Sequence, residues 1–164
     1  MRSSPGAQSR AGHSSGWPAY AAFGVGFLFA LVNVYWLLGG ELGLNTLGDA
    51  VEADTRRGAP TVVAATAVKA AGAVLPLALV RPWGRLFPRL LLSAAGWTGA
   101  VVLVLYGGTL TIGQALIELG AFDVTPADPT ALRGHLYLWD PWFLLWGLLL
   151  ALAMVRFERA TSGR

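Results

Sequence analysis

The chain has 164 residues, of which 55% are hydrophobic and only 13% charged, about half the charged share of an average soluble domain. Its apolar residues come in long blocks, which places it in the membrane class and leaves room for little beyond one helical bundle. It has no cysteine, which excludes disulfides, thiolate chemistry and cysteine-ligated zinc or iron–sulfur sites. Its net charge of +3 sits at the ends of apolar blocks, as membrane orientation requires, and does not suggest a nucleic-acid partner.

Residues 1–16 are rich in Ser, Gly and Arg, lack apolar periodicity, and are expected to form a disordered cytoplasmic tail. The next apolar block is longer than the roughly 7–15 residues of a signal-peptide core, so it reads as an uncleaved first span at about 17–38. Gly39-Gly40 suits its C-terminal end. A second span runs over about 60–80, with Pro60 acceptable in a first helical turn. The third begins near Leu90 and is charge-free until Glu118, longer than the roughly 20 residues a span needs. Either it tilts strongly or Gly107-Gly108 breaks it. The fourth begins at Pro129, with Asp128 as N-cap, and runs to about Phe157 before a polar cytoplasmic tail at 158–164. The expected fold is all-α: an integral membrane four-helix bundle over residues 17–157, located in the plasma membrane.

Orientation follows from the basic residues in the connections. Arg2, Arg10, Arg81, Arg85, Arg89, Arg156, Arg159 and Arg164 fall on the side of the termini, against Arg56, Arg57 and Arg133 on the other. Both termini are therefore expected in the cytoplasm. The acids are skewed oppositely, with only Glu158 on the side of the termini.

Two charges cannot avoid the membrane. Pro141 to Val155 supplies 15 residues, about 22 Å of helix, against a hydrocarbon core of about 30 Å. Asp140 must then lie below the outer boundary, and Pro141 is expected to free the carbonyl of Tyr137 and kink the helix. Lys69 stands near the middle of the second span. A lysine there costs roughly 3 kcal/mol on insertion scales and should find a partner, with Asp140 the natural counter-ion and Glu118 the alternative. Helical spacing places Asn33 with Trp36, Gln114 with Thr111 and Glu118, Tyr137 with Arg133 and Asp140, and His135 with Trp139, Trp142 and Trp146. The candidate cluster is Asn33, Tyr35, Trp36, Lys69, Gln114, Glu118, His135, Tyr137, Trp139 and Asp140, lining a polar pocket that opens outward over an apolar inner half.

Each member also has a purely structural reading. Trp17, Trp139 and Trp142 suit an interfacial aromatic belt. Lys69 with an acid suits a register-fixing ion pair. Asn33 suits an interhelical hydrogen bond, and His135 a wet interfacial residue. Gly24, Gly26, Gly96 and Gly99 read as helix-packing positions. No metal site or cofactor is expected.

The segments "NVYWLLGGELG" (33–43) and "ALRGHLYLWDPWFLLWGLLLALA" (131–153) resemble a bacterial family of small four-span membrane proteins, domain of unknown function three-nine-nine-five. The first is similar to that family's His-x-Tyr-Trp-x-x-Gly-Gly signature, with Asn33 where the family usually has histidine. The second is similar to its Trp-Asp segment. The resemblance implies a four-span fold and a membrane location, and carries no activity with it.

Three functions compete. The first is a protein that binds a small amphiphile, ion or proton in the outer pocket; transport would then require a homo-oligomer. The second is an accessory subunit whose buried ion pair is structural. The third is a membrane isomerase or cyclase acting on a lipophilic substrate, with Asp140 as acid or base and Trp139, Trp142 and Trp146 facing a developing cation. The expected partners are the lipid bilayer, a second copy and a small lipophilic ligand.

Overall fold

A computed structural model describes residues 16–122 and 124–162. The tail expected over residues 1–16 therefore lies outside the described residues but for Gly16. The order of elements is α1 (Trp17–Leu37), a 3₁₀ turn (Leu44–Thr46), α2 (Asp49–Arg56), α3 (Pro60–Ala78), a second 3₁₀ turn (Pro82–Leu86), α4 (Arg89–Glu118), α5 (Pro129–Gly134), a π-helical turn (His135–Trp139) and α6 (Asp140–Ser162). Four helices are long and apolar enough to cross a membrane: α1, α3, α4 and the continuous run from Pro129 to Thr161.

The helix ends follow local chemistry. Asp128 caps α5, its Oδ1 accepting from the amides of Thr130 and Ala131 at 2.9 Å each. After α1, Gly39 takes φ +94°. Its amide donates to Trp36 O and that of Gly40 donates to Tyr35 O, a Schellman closure that needs a residue free of a Cβ clash at the left-handed position. Pro60 opens α3 in its first turn. Helix α6 continues to Ser162, so most of the stretch expected as a polar tail after Phe157 is helical. The short α2 fell within a stretch the apolar blocks left unassigned.

Helix α4 is unbroken through Gly107-Gly108. Its 30 residues make about 45 Å of helix, more than a bilayer core needs. Gly107 marks a close approach. A Cβ on Gly107 would lie 2.7 Å from Asp140 O and 3.0 Å from Leu144 Cα, so the backbones of α4 and α6 nearly touch there. Gly26 meets the Trp146 ring and Gly96 meets Met154 in the same manner, and a Cβ on Gly99 would come to 3.3 Å from Leu150 Cδ2. Gly24 is the exception: nothing lies within 4 Å of its Cβ position, and it packs no helix.

In space α6 packs on both α4 and α1, while α3 packs chiefly on α1 and touches α4 little. These seams hold two apolar cores. Ala22, Ala73, Ala100, Trp146, Leu150 and Met154 form one, and Phe29, Trp36, Leu44 and Trp139 the other. Many large apolar side chains point outward, Leu28, Leu31, Val102 and Leu105 among them, a surface suited to lipid and unsuited to water.

Candidate functional site

Asp140 stands where α6 begins, and its backbone lies against Gly107. The preceding π-helical turn (His135–Trp139) fixes what it meets. A π turn closes i→i+5 bonds and is wider than an α turn, so the neighbour of Asp140 on its own strand of backbone is His135, five residues back. His135 Nδ1 lies 3.3 Å from Asp140 Oδ1. From α4, Gln114 Nε2 donates to Asp140 Oδ2 at 2.8 Å. The carboxylate has no exposed surface at all, and Gln114 Oε1 is buried without a hydrogen-bond partner.

This corrects the expected cluster in two ways. An α-helical period puts Tyr137 beside Asp140, but the π turn rotates it away, and Tyr137 is 69% exposed. The expected Lys69–Asp140 pair is not formed. Lys69 Nζ instead donates to Asn33 Oδ1 at 2.9 Å and lies 5.0 Å from the centre of the Phe29 ring. The alternative acid, Glu118, accepts from Arg133 Nε at 3.1 Å. The reason is helix order: Lys69 on α3 faces α1, while Asp140 sits between α6 and α4.

The candidates thus fall into two polar groups. Asn33 joins α1 to α3: its Nδ2 donates to Phe29 O at 2.8 Å while its Oδ1 takes the ammonium. Phe29 carries that ammonium on its ring and packs against Trp139, Trp142 and Phe143. The aromatic cluster therefore stands between Lys69 and Asp140. Trp139 is buried, not interfacial, and its Nε1 donates to Thr46 Oγ1 at 2.9 Å. Trp142 Nε1 donates to Val25 O at 3.1 Å, whereas Trp17 is 48% exposed, as a belt residue would be.

Trp36 and Tyr35 secure the loop after α1. Trp36 Nε1 donates to Leu42 O at 2.9 Å, and the Tyr35 hydroxyl accepts from the Leu42 amide at 3.3 Å. Thr46, which sequence reasoning missed, closes the same region: Gly134 approaches so near that a Cβ there would lie 2.7 Å from Thr46 O. A loop threonine 93 positions from its indole partner gives no signal in the sequence. Outside the spans, Arg56 bridges Glu41 and Glu52, and Arg57 pairs with Asp54. The Arg56 guanidinium, by hydrogen bond and by charge, holds the Glu41 carboxyl below its ordinary value.

A family model described as "Protein of unknown function (DUF3995)" matches residues 26–150. The chain belongs to this family. The matched stretch spans Asn33, Lys69, Gln114, His135 and Asp140, so both polar groups lie inside the DUF3995 region. Neither the curated proteins nor the solved structures include a match to the chain.

Proposed function

We propose that this DUF3995 member is a multi-pass protein of a bacterial plasma membrane, with both termini cytoplasmic, that takes up a proton or a small hydrogen-bond donor at Asp140 in its outer half. One observation carries the reading: a carboxylate with no exposed surface whose ion-pair partner among the described residues is a histidine, charged only when protonated. With no proton on either group the pair holds one net negative charge, and with one proton it holds none. Charge removed from water is costly unless compensated, and ionisable residues within spans are functional candidates by default. The unpartnered Gln114 Oε1 supports the reading, because it offers an acceptor beside the carboxylate to any donor that enters. Orientation rests on the arginine excess on the side of the termini. Transport by so thin a protomer requires a second copy.

The accessory-subunit reading fits Lys69 better than Asp140, because Asn33 and the Phe29 ring already accommodate the ammonium. The cyclase reading gains no support, because Trp139 and Trp142 pack on one another and on Phe29, and Trp146 is buried in an apolar core.

Tryptophan emission of the full-length protein in lipid nanodiscs, followed as a function of pH, tests the proposal, since Trp139 adjoins Asp140. A transition is expected in the wild type and is abolished in both Asp140→Asn and His135→Gln. If Asp140→Asn titrates as the wild type does, the carboxylate is not the acceptor and the reading fails.

A further inference from the structure

A second opening lies at the other end of the molecule. A cavity of about 530 Å³ sits where the first turn of α1, the end of α3, the 82–86 turn, the start of α4 and the last turns of α6 converge. Four arginines line it, Arg81, Arg85, Arg89 and Arg156, and among the described residues no carboxylate does. Glu158, the acid nearest this end, is engaged elsewhere, accepting from Trp97 Nε1 at 2.8 Å. The lining also carries apolar side chains, Ala19, Leu92 and Phe157 among them.

Aromatic rings and a backbone carbonyl position three of the arginines. Arg81 lies over the Tyr20 ring at 5.5 Å, Arg156 over the Trp17 ring at 5.4 Å, and Arg89 Nη1 donates to Thr161 O at 3.4 Å. Stacking orients a planar guanidinium and leaves edge N–H groups for an anion. Arginine forks match phosphate oxygens in bidentate fashion. A positive-inside bias alone needs only that basic residues lie near the span ends; it does not require four of them around one hollow. Arg159 makes the contrast, being on the same end, exposed and outside the lining.

We propose that this cavity binds the phosphate headgroup of an anionic phospholipid. The volume lies in the range of about 300–1,000 Å³ typical of ligand sites, the lining is cationic, and two of its apolar residues, Val80 and Phe87, are also exposed on the outer surface, where acyl chains would run. Basic pockets between spans are a recognised means of holding anionic headgroups. The apolar wall is what selects a lipid over free phosphate.

Native mass spectrometry of the full-length protein, with phosphatidylglycerol or phosphatidylcholine added in equal amounts, reads the preference directly. The wild type is expected to retain phosphatidylglycerol about tenfold or more over phosphatidylcholine. Arg85→Gln with Arg89→Gln is expected to abolish the preference, and Arg159→Gln to keep it. Should the double variant fail to fold, the single Arg85→Gln and the lysine pair Arg85→Lys with Arg89→Lys replace it; the first is expected to weaken retention and the second to preserve most of it. Equal retention of the two lipids by the wild type overturns the proposal, as does an Arg159→Gln loss as large as that of the cavity variants. Displacement of the lipid by inorganic phosphate at millimolar concentration overturns the lipid assignment in favour of a free-phosphate site.

Discussion

Replacing Gly107 by alanine tests the contact on which the Asp140 centre is built. The added Cβ would stand 2.7 Å from Asp140 O, where ordinary contact begins at 3.4 Å. The Leu144 amide nitrogen lies closer still, so α4 and α6 must open by about 1 Å. The obstructing atoms are backbone, so no rotamer change relieves them. A gap of roughly that size forfeits about a quarter to a half of each nearby contact, and on the order of fifty atom pairs at ~0.15 kcal/mol line such a seam. The expected loss is about 2–4 kcal/mol, at the upper end of the usual overpacking range of roughly 1–3 kcal/mol or above it. Gly113→Ala, on the same helix with nothing within 4 Å, is the control. Unfolding in mixed detergent–SDS micelles, followed by tryptophan emission, measures both. If Gly107→Ala lies within about 0.5 kcal/mol of Gly113→Ala, the width of ordinary surface effects, the close approach is not real and the geometry around Asp140 falls with it.

Lys69→Met is expected to leave stability unchanged or raised by up to about 1 kcal/mol, because the roughly 3 kcal/mol insertion cost of the lysine offsets one charge-assisted hydrogen bond and one cation–π contact; a loss above about 2 kcal/mol in the same micelle assay would contradict this. Glu41 has its carboxyl value depressed by Arg56, so the pair contributes stability above the ordinary value of 4.5 and that contribution disappears as pH falls through the lowered folded value. Hydrogen exchange over residues 42–57 is therefore expected to accelerate on acidification more in the wild type than in Glu41→Gln. Identical acid profiles would mean that this exposed ion pair does nothing measurable.

The four spans were legible because lipid demands unbroken apolar length, and their ends were legible where a cap is local, as at Asp128 and Gly39. The site was less legible, for reasons that differ residue by residue. Pro141 announces a disturbed backbone but does not say that the disturbance is a π turn, and assuming an α-helical period exchanged His135 for Tyr137 as the neighbour of Asp140. Opposite charges at similar depth suggested Lys69 with Asp140. Pairing depends on which helices touch, and blocks of Leu, Val and Ala do not encode the order α3, α1, α6, α4. Gly107-Gly108 read as a weak point because glycine is a poor helix former, whereas here its missing side chain admits a neighbouring backbone. The arginines at the termini were read only as an orientation signal, since their convergence on one hollow is a property of five elements together.

The hydrogen bond from Trp139 to Thr46 has a bearing on how the molecule is made. A chain is synthesised from its N-terminus and folds in that order, so the first hairpin enters the bilayer while the indole it needs is still untranslated. Lys69 and Asn33 can meet as soon as that hairpin closes, but the threonine hydroxyl must wait for nearly the whole polypeptide. The rim at the end opposite the termini is thus the last part to be completed, and a ribosome that stops short of the final span leaves it open.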